Sequence, residues 1–296
     1  MDKETEGAME STRFEFDGED GLTLVAEAWG DPADPPVILS HGGGQTRYSW
    51  GGTAQALAGR GWYAVAYDHR GHGESDWSGD ALYEVAHFAL DMACLARGFD
   101  RPPAVVGASL GGMSAMLGAG EIESGMFSAV VLVDVTPRLN QAGVARIYEF
   151  MHSHIETGFG SLEEAADAVA AYTGRPRRDD VSGLRKNLRE RDGRFYWHWD
   201  PNVFAPRRDG HRPPQELFTA AANIEQPVLL IRGRASDVVT EAEVQEFLEL
   251  IPHAEYVDVD KAQHMVAGDR NDIFTAAVID FLERQRPRIL DQAGPT

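Results

Sequence analysis

An apolar run leads directly into a Gly-x-Ser-x-Gly turn in the stretch PAVVGASLGG, residues 103–112. Residues 103–106 have the apolar, β-branched character of a buried parallel strand. Small, helix-compatible residues follow at 111–119 and predict a helix packed closely on that strand. Glycines two positions to either side of Ser109 suit a sharp strand-to-helix turn that exposes the serine hydroxyl. The stretch therefore predicts an α/β fold and makes Ser109 a candidate nucleophile.

A serine hydroxyl needs partners before it can act as a nucleophile. A base must remove its proton, and a third group must orient that base. A buried-strand run at 228–231 precedes Asp237, and a further predicted strand at 251–259 precedes His264. Ser109, Asp237 and His264 thus follow predicted strands in the chain order that such a turn requires. We predict His264 as the base and Asp237 as the acid.

Two backbone amides are needed to bind the oxyanion that forms during attack on a carbonyl. The glycine-rich stretch HGGG, residues 41–44, follows another predicted strand and lets the backbone approach a substrate oxygen. Leu110 begins the helix after the turn, where amides have no intrahelical acceptor. We predict that the amides of Gly43 and Leu110 bind the oxyanion. Gly44 could replace Gly43, because the extra glycine leaves the position of the donor in the loop uncertain by one residue.

In combination, these motifs resemble the α/β-hydrolase superfamily. They are HGGG at 41–44, DHRGHGES at 68–75, the turn around Ser109, Asp237 and His264, and they extend from residue 36 to 283. The resemblance implies a mostly parallel eight-stranded sheet flanked by helices, a helical cap over the active site, and no metal or organic cofactor. Residues 41–50 and 133–138 are similar to a bacterial esterase-like branch that includes hydrolases of monoalkyl phthalates.

The resemblance implies a serine hydrolase that cleaves a small carboxylic ester through an acyl-enzyme. Serine at 109 argues against haloalkane dehalogenases and most epoxide hydrolases, which carry aspartate there. Ala108 and Leu110 differ from the Gly-Asp-Ser-Ala-Gly turn of the lipases related to hormone-sensitive lipase. Carbon–carbon bond hydrolysis of ring-cleavage products, lactone opening and peracid formation use the same triad and remain open, as does a ligand-binding member without turnover.

Asp134 competes with Asp237 for the role of the acid. It follows the predicted strand at 130–133, and some members of the superfamily take their acid from that strand. We favour Asp237, whose position is the more usual one and whose loop is open. Asp134 is then a capping or hinge residue beside Thr136.

Composition indicates a soluble enzyme with a single large core. The chain has 296 residues, of which 43% are apolar. No apolar run reaches the roughly 20 residues of a membrane span, and residues 1–7 lack the apolar centre of a secretory signal. We therefore expect a cytoplasmic location, with residues 1–11 disordered. The net charge of −20 disfavours nucleic acid and anionic membrane surfaces as partners. The expected partner is a small-molecule ester. The chain is expected to be a monomer or a homodimer.

A cap is predicted inside the hydrolase core. Residues 141–212 carry nearly balanced charge, whereas the remainder is strongly acidic. Helices are predicted at 141–157, 161–172 and 181–191, with Ser161 capping the second. The predicted division is core at 1–136 and 216–285, cap at 137–215 and tail at 286–296.

The cap also contains the candidate substrate contacts. Trp197 and Trp199 lie in an aromatic stretch and could line an apolar pocket with Met265, although such rings also simply join a cap to a core. A group of arginines could bind a substrate carboxylate, or could form a solvated basic face. These are Arg175, Arg177, Arg178, Arg185, Arg189, Arg191 and Arg194.

The other histidines and the single cysteine have structural interpretations. His41, His69 and His72 lie in loops after predicted strands, and their spacing matches no familiar zinc pattern. We expect them to make structural hydrogen bonds and predict no metal site. Cys94 falls in an apolar helical stretch and is expected to be a small core residue.

Overall fold

The computed structural model describes residues 10–177, 179–205, 215–260, 262 and 271–291, except for the side chains of 271 and 272. The strands are, in chain order, β1 (Thr12–Asp17), β2 (Thr23–Trp29), β3 (Pro36–Ser40), β4 (Tyr63–Tyr67), β5 (Ala104–Ala108), β6 (Ala129–Val133), β7 (Leu188–Arg191), β8 (Arg194–Trp197), β9 (Val228–Gly233) and β10 (Glu255–Val259). The α-helices are α1 (Gly51–Ala58), α2 (Val85–Ala96), α3 (Leu110–Leu117), α4 (Gln141–His152), α5 (Leu162–Thr173), α6 (Gln215–Ala222), α7 (Glu241–Leu250) and α8 (Asn271–Asp291).

Eight strands form one sheet in the order β1-β2-β4-β3-β5-β6-β9-β10. β2 pairs antiparallel with β1 and β4, and every other neighbouring pair is parallel. The central strands are apolar and buried along their length because helices cover both faces of the sheet. The predicted fold class, a mostly parallel eight-stranded sheet flanked by helices, is confirmed.

The side chains of each central strand alternate between two cores. Ile38 and Val105 point to the face covered by α2, α3, α6 and α7. Val37 and Val106 point to the opposite face, which is covered by α1 and α8. The parallel strands end at a common edge, so the residues that follow β3, β5, β6 and β9 are brought together there.

The segment predicted as the cap, residues 137–215, is part helix and part hairpin where it is described, and it is called the cap below. The predicted first two helices are present as α4 and α5, and the Ser161 hydroxyl accepts the Glu164 amide hydrogen at 3.2 Å as expected for an N-cap. The predicted helix at 181–191 is wrong. A 3₁₀ turn at Ser182–Asn187 leads into β7, which pairs antiparallel with β8. Asp192 and Gly193 join the two strands with φ of 52° and 73°, the positive values that a tight hairpin turn needs.

The C-terminal boundary also differs from the prediction. A tail was expected from residue 286, but α8 continues to Asp291. Ile289 is fully buried in the core, and Arg286 donates hydrogen bonds to the carbonyls of Arg60 and Gly61. These contacts retain the last turns of the helix although Pro287 lies within it.

Two further expectations from the sequence concern the single cysteine and membrane-spanning segments. Cys94 lies in α2 as predicted, but it is half-buried and not a full core residue. Among the described residues, no helix combines the length and apolar character needed to cross a bilayer.

Candidate active site

Ser109 lies on a strained turn between β5 and α3. Its φ of 46° and ψ of −111° fall outside the regions that a side chain normally allows. A Cβ atom on Gly107 would lie 2.5 Å from the carbonyl oxygen of Gly111, and one on Gly111 would collide with the backbone of Ser40. The glycines are therefore needed for the helix to start this close to the sheet, as the sequence pattern predicts.

The glycine loop after β3 runs beside Ser109. A Cβ atom on Gly42 would lie 3.4 Å from the Cβ of Ser109. The Gly42 amide donates to Oε1 of Gln45 at 3.0 Å, and the Gly44 amide donates to Nε2 of His72 at 3.1 Å. The Gly43 amide has no hydrogen-bond acceptor within the described part of the chain. Of the two candidate glycines, Gly43 therefore fits an oxyanion donor better, because the Gly44 amide is already bonded to His72.

Leu110 supplies a second amide at the same place. It is the first residue of α3, so its N–H has no carbonyl acceptor within the helix. The positive end of the helix also favours negative charge near this amide. The structure therefore brings both predicted oxyanion donors close to Ser109.

Two histidines bind opposite sides of Gly44. Nδ1 of His72 donates to the carbonyl of Arg70 at 3.0 Å, which leaves Nε2 free to accept the Gly44 N–H. Nε2 of His198 lies 3.3 Å from the Gly44 carbonyl, and its Nδ1 accepts the Gly73 N–H at 2.7 Å. His198 comes from the end of the cap hairpin, so the cap takes part directly in holding the glycine loop.

His41 and His69 complete this buried group. Nδ1 of His41 donates to the Gly42 carbonyl at 2.8 Å, and its Nε2 accepts the His69 N–H at 3.1 Å. Burial disfavours the imidazolium form and lowers the pKa of His41 to about 4 and that of His72 to about 3. Burial likewise lowers the pKa of His69 and His198. The rings are therefore neutral at pH 7, and His41, His69 and His72 make the structural hydrogen bonds expected from the sequence.

The DHRGHGES stretch, which contains His69 and His72, is fixed by buried ion pairs. Arg70 donates to both carboxylate oxygens of Asp91 in α2, at 2.6 and 2.7 Å. Asp68 accepts the backbone N–H groups of Arg47 and Glu74 and pairs with the Arg47 guanidinium. In the described ranges, no group of three or more histidine, cysteine or acidic residues could hold a metal ion.

Asp134 is buried at the carboxyl end of β6, the strand next to β5. Its φ is 50°, so strained backbone recurs at the ends of two adjacent strands. Oδ1 accepts the Gly233 N–H at 3.1 Å, and Oδ2 accepts the Ser236 hydroxyl at 2.6 Å. The Ser236 oxygen in turn accepts the amides of Val238 and Val239, each at 3.2 Å.

Asp237 lies in a different environment. Its side chain is 35% exposed, and Oδ2 is 2.8 Å from Nη2 of Arg146 in α4. A Cβ atom on Gly143 would collide with the backbone of Asp237, so α4 packs tightly on this loop. Asp237 therefore anchors the cap. The predicted base, His264, and the predicted pocket residue Met265 lie outside the described residues.

A cavity of about 350 Å³ lies against Ser109 and is bounded by both core and cap. Gly43, Leu110, Trp197 and Trp199 all line it. The two tryptophans are nearly buried and stack on each other at 4.8 Å. They form one wall of the cavity and also pack within the cap, so both interpretations of the aromatic stretch apply.

Several site residues were not predicted from the sequence. Phe204 and Met151 cover the glycine loop, since a Cβ atom on Gly43 would lie 3.2 Å from the Phe204 ring and one on Gly44 would lie 2.7 Å from Sδ of Met151. Ser236, which directly precedes Asp237, was also not predicted as a site residue. A short polar side chain in the loop after a buried strand was the available signal.

Comparisons with known proteins agree with this architecture. The pattern of the Alpha/beta hydrolase family matches residues 37–277. An esterase of Mycobacterium tuberculosis is 33% identical over 83% of this chain and 82% of its own length. A 3-hydroxybutyrate-oligomer hydrolase of Cupriavidus necator is 29% identical over 82% of this chain and 88% of its own length.

Solved structures show the same fold. The crystal structure of E-2-(acetamidomethylene)succinate hydrolase superposes with a TM-score of 0.81 at 22% identity, covering 93% of this chain and 100% of that one. The M. tuberculosis esterase superposes with a TM-score of 0.73 at 28% identity, covering 93% and 92%. With the sheet order, the serine turn and the family match over most of its length, this chain belongs to the Alpha/beta hydrolase family.

Proposed function

We propose that this protein is a serine hydrolase that cleaves a carboxylic ester. One observation carries the proposal: the strained Ser109 and Gly43 line the same cavity, and the Gly43 amide has no acceptor among the described residues. Strained backbone at a cavity is characteristic of sites where a side chain is held for reaction. The esterase of M. tuberculosis and the oligomer hydrolase of C. necator support ester cleavage as the reaction.

The reaction proceeds by two acyl transfers. His264 takes the proton of the Ser109 hydroxyl while the oxygen attacks the ester carbonyl, and the amides of Gly43 and Leu110 bind the resulting oxyanion. His264 then gives the proton to the leaving alcohol as the carbon–oxygen bond breaks. Water attacks the acyl-enzyme in the same way and releases the acid and free Ser109. No step requires a metal or an organic cofactor.

We assign the acid of the triad to Asp134 in preference to Asp237. A carboxylate that orients an imidazolium is most effective when it is buried and fixed by hydrogen bonds. Asp134 meets both conditions, whereas the Asp237 carboxylate is partly exposed and already paired with Arg146. Asp237, favoured from its sequence position, remains the alternative that mutagenesis distinguishes.

Labelling and turnover test the proposal together. A fluorophosphonate probe should modify Ser109 and abolish hydrolysis of p-nitrophenyl esters, and Ser109→Ala should neither react with the probe nor hydrolyse the esters. Ser114, a buried serine in α3, supplies a matched control, because Ser114→Ala should remain labelled and active. Labelling of Ser109 without turnover on any ester or lactone would favour a ligand-binding protein instead.

A further inference from the structure

We propose that the substrate is an uncharged ester with at least one bulky apolar or aromatic group. This inference rests on the serine esterase function proposed above and specifies its substrate class.

None of the described residues that line the cavity carries a formal charge. Apolar and aromatic side chains dominate, among them Phe88, Met113, Val144, Ile147, Phe150 and Phe204. Two of the polar lining groups are bonded within the protein: the Tyr83 hydroxyl donates to Asp200 at 2.6 Å, and the Thr173 hydroxyl donates to the Val169 carbonyl at 2.9 Å. A substrate carboxylate would therefore meet no counter-charge from these residues.

Five of the seven cap arginines that could have bound a carboxylate contact other groups. None of those described lines the cavity, and Arg178 lies outside the described residues. The partners are Asp167 for Arg177, Glu190 for Arg185, the Gly73 carbonyl for Arg189, the Tyr196 ring for Arg191, and the Thr157 and Gly158 carbonyls for Arg194. These contacts fit the interpretation of a surface basic face, and they do not support a carboxylate clamp.

Desolvation then decides which esters can bind. An ionised carboxylate loses its hydration on entering such a cavity and gains no ion pair from the described lining residues in return. The net charge of −20 adds a long-range repulsion of anions. A neutral ester pays neither cost, so the cavity selects against substrates with a second, ionised carboxyl group.

Aromatic walls favour bulk on the ester. Phe150 and Tyr172 stack at 4.1 Å, and Trp197 and Trp199 stack at 4.8 Å, so two pairs of rings contribute to the lining. Phe204 meets Trp199 edge-on at 5.6 Å and lies over the glycine loop. Flat apolar groups bury large areas against such surfaces, whereas a small ester leaves most of the cavity unfilled.

The charge preference is tested with dimethyl succinate and monomethyl succinate. Each kcat/KM is divided by the rate constant for hydroxide-catalysed hydrolysis of the same ester, which removes differences in intrinsic reactivity. The carboxylate of the monoester lies two methylene groups from the reacting carbonyl and must enter the cavity with it. We expect the neutral diester to be favoured at least about 100-fold; equal values, or a preference for the monoester, would overturn the proposal.

The size preference is tested with two isomers, benzyl acetate and methyl phenylacetate, against methyl acetate. The isomers place the ring on opposite sides of the ester bond. At least one should exceed methyl acetate about tenfold in normalised kcat/KM, because a buried ring contributes favourable burial energy. If neither does, the cavity does not bind bulk and this part of the proposal is wrong.

Ser109→Ala separates this inference from the proposed function. If that variant retains hydrolysis, the serine mechanism is refuted whatever the preference. If hydrolysis depends on Ser109 but the monoester is preferred, esterase function stands and the inference falls. The same ester pairs are also compared as ligands of Ser109→Ala by calorimetry, so charge and size preference are measured even if the wild-type chain turns over none of them.

Discussion

Ser236 donates its hydroxyl hydrogen to the Asp134 carboxylate at 2.6 Å. The two residues come from the loops after neighbouring parallel strands, β9 and β6. The same oxygen of Ser236 accepts two amides of its own loop, so the carboxylate is fixed through the backbone of that loop. The loop after β9 thus carries Asp237 at the surface of the protein, while its Ser236 holds the buried Asp134 carboxylate in place.

Asp134→Asn should abolish most of the activity, whereas Asp237→Asn should not. Without a carboxylate to orient and stabilise the imidazolium of His264, kcat is expected to fall about 10³- to 10⁴-fold. Loss of the exposed Arg146 pair in Asp237→Asn should change stability by less than about 1 kcal/mol and leave kcat within a few-fold. Steady-state kinetics and thermal unfolding of both variants check this. A large loss at 237 with a mild loss at 134 would restore Asp237 as the acid.

Ser236→Ala should lower kcat about tenfold or more with little change in KM. A hydrogen bond to a charged group contributes about 1.5–3 kcal/mol, and its loss here frees Asp134 to rotate. Ser128→Ala is the matched control, because that buried hydroxyl has no partner among the described residues. Its removal should be neutral or stabilising and leave kcat unchanged. Equal kinetics for both variants would mean that Ser236 does not position the acid.

Gly44→Ala should reduce both stability and activity. Gly44 has a φ of +74°, where a Cβ atom costs roughly 1–2 kcal/mol, and that atom would also press on Met151 at 2.7 Å. The strain would displace the loop that presents the Gly43 amide. Gly51→Ala is the control, since nothing lies within 4 Å of its new methyl group and its backbone is helical. We expect that control to be active and slightly more stable in urea unfolding.

Stability should fall on mild acidification because the buried histidines stay neutral. The unfolded chain binds protons at the ordinary histidine pKa of about 6.5, whereas the folded-state pKa is about 4 for His41 and about 3 for His72. Below pH 6.5 the unfolded state therefore binds more protons. The free energy of unfolding should fall by up to about 1.4 kcal/mol per pH unit for each such histidine.

Urea unfolding at pH 7.5, 6.0 and 5.0 measures this slope. His72→Gln is the matched variant, because a neutral amide oxygen can still accept the Gly44 N–H but does not titrate. Its slope should be smaller than that of the wild-type chain. A free energy of unfolding that is constant from pH 7.5 to 5.0 would show that these rings are accessible to protonation in the folded state.

Local sequence patterns were sufficient to predict the strands of the sheet and the turn at Ser109. Buried parallel strands are apolar along their whole length, so β5, β6 and β9 were visible as runs, and the glycines around Ser109 reflect close packing against Ser40. The choice of acid depended on contacts between distant residues. Asp134 and Asp237 both follow strands, and only their surroundings distinguish them.

The cap hairpin was missed for a local reason. The basic segment 181–191 was predicted as a helix, whereas Asp192-Gly193 directly after it is a strong hairpin signal. The helix α8 continues past Pro287, although proline usually terminates a helix. There, burial of Ile289 and the hydrogen bonds of Arg286 outweigh the local preference.

The hydrogen bond from His198 to the Gly44 carbonyl limits how this enzyme can diversify. Recombination that exchanged the whole cap for that of a relative would remove a donor from the glycine loop along with the old pocket walls. A chimera is therefore expected to keep catalysis only if the incoming segment brings an equivalent donor, or if its junctions leave His198 with the parent. An exchange of the cap is therefore expected to change the pocket walls and the support of the glycine loop at the same time.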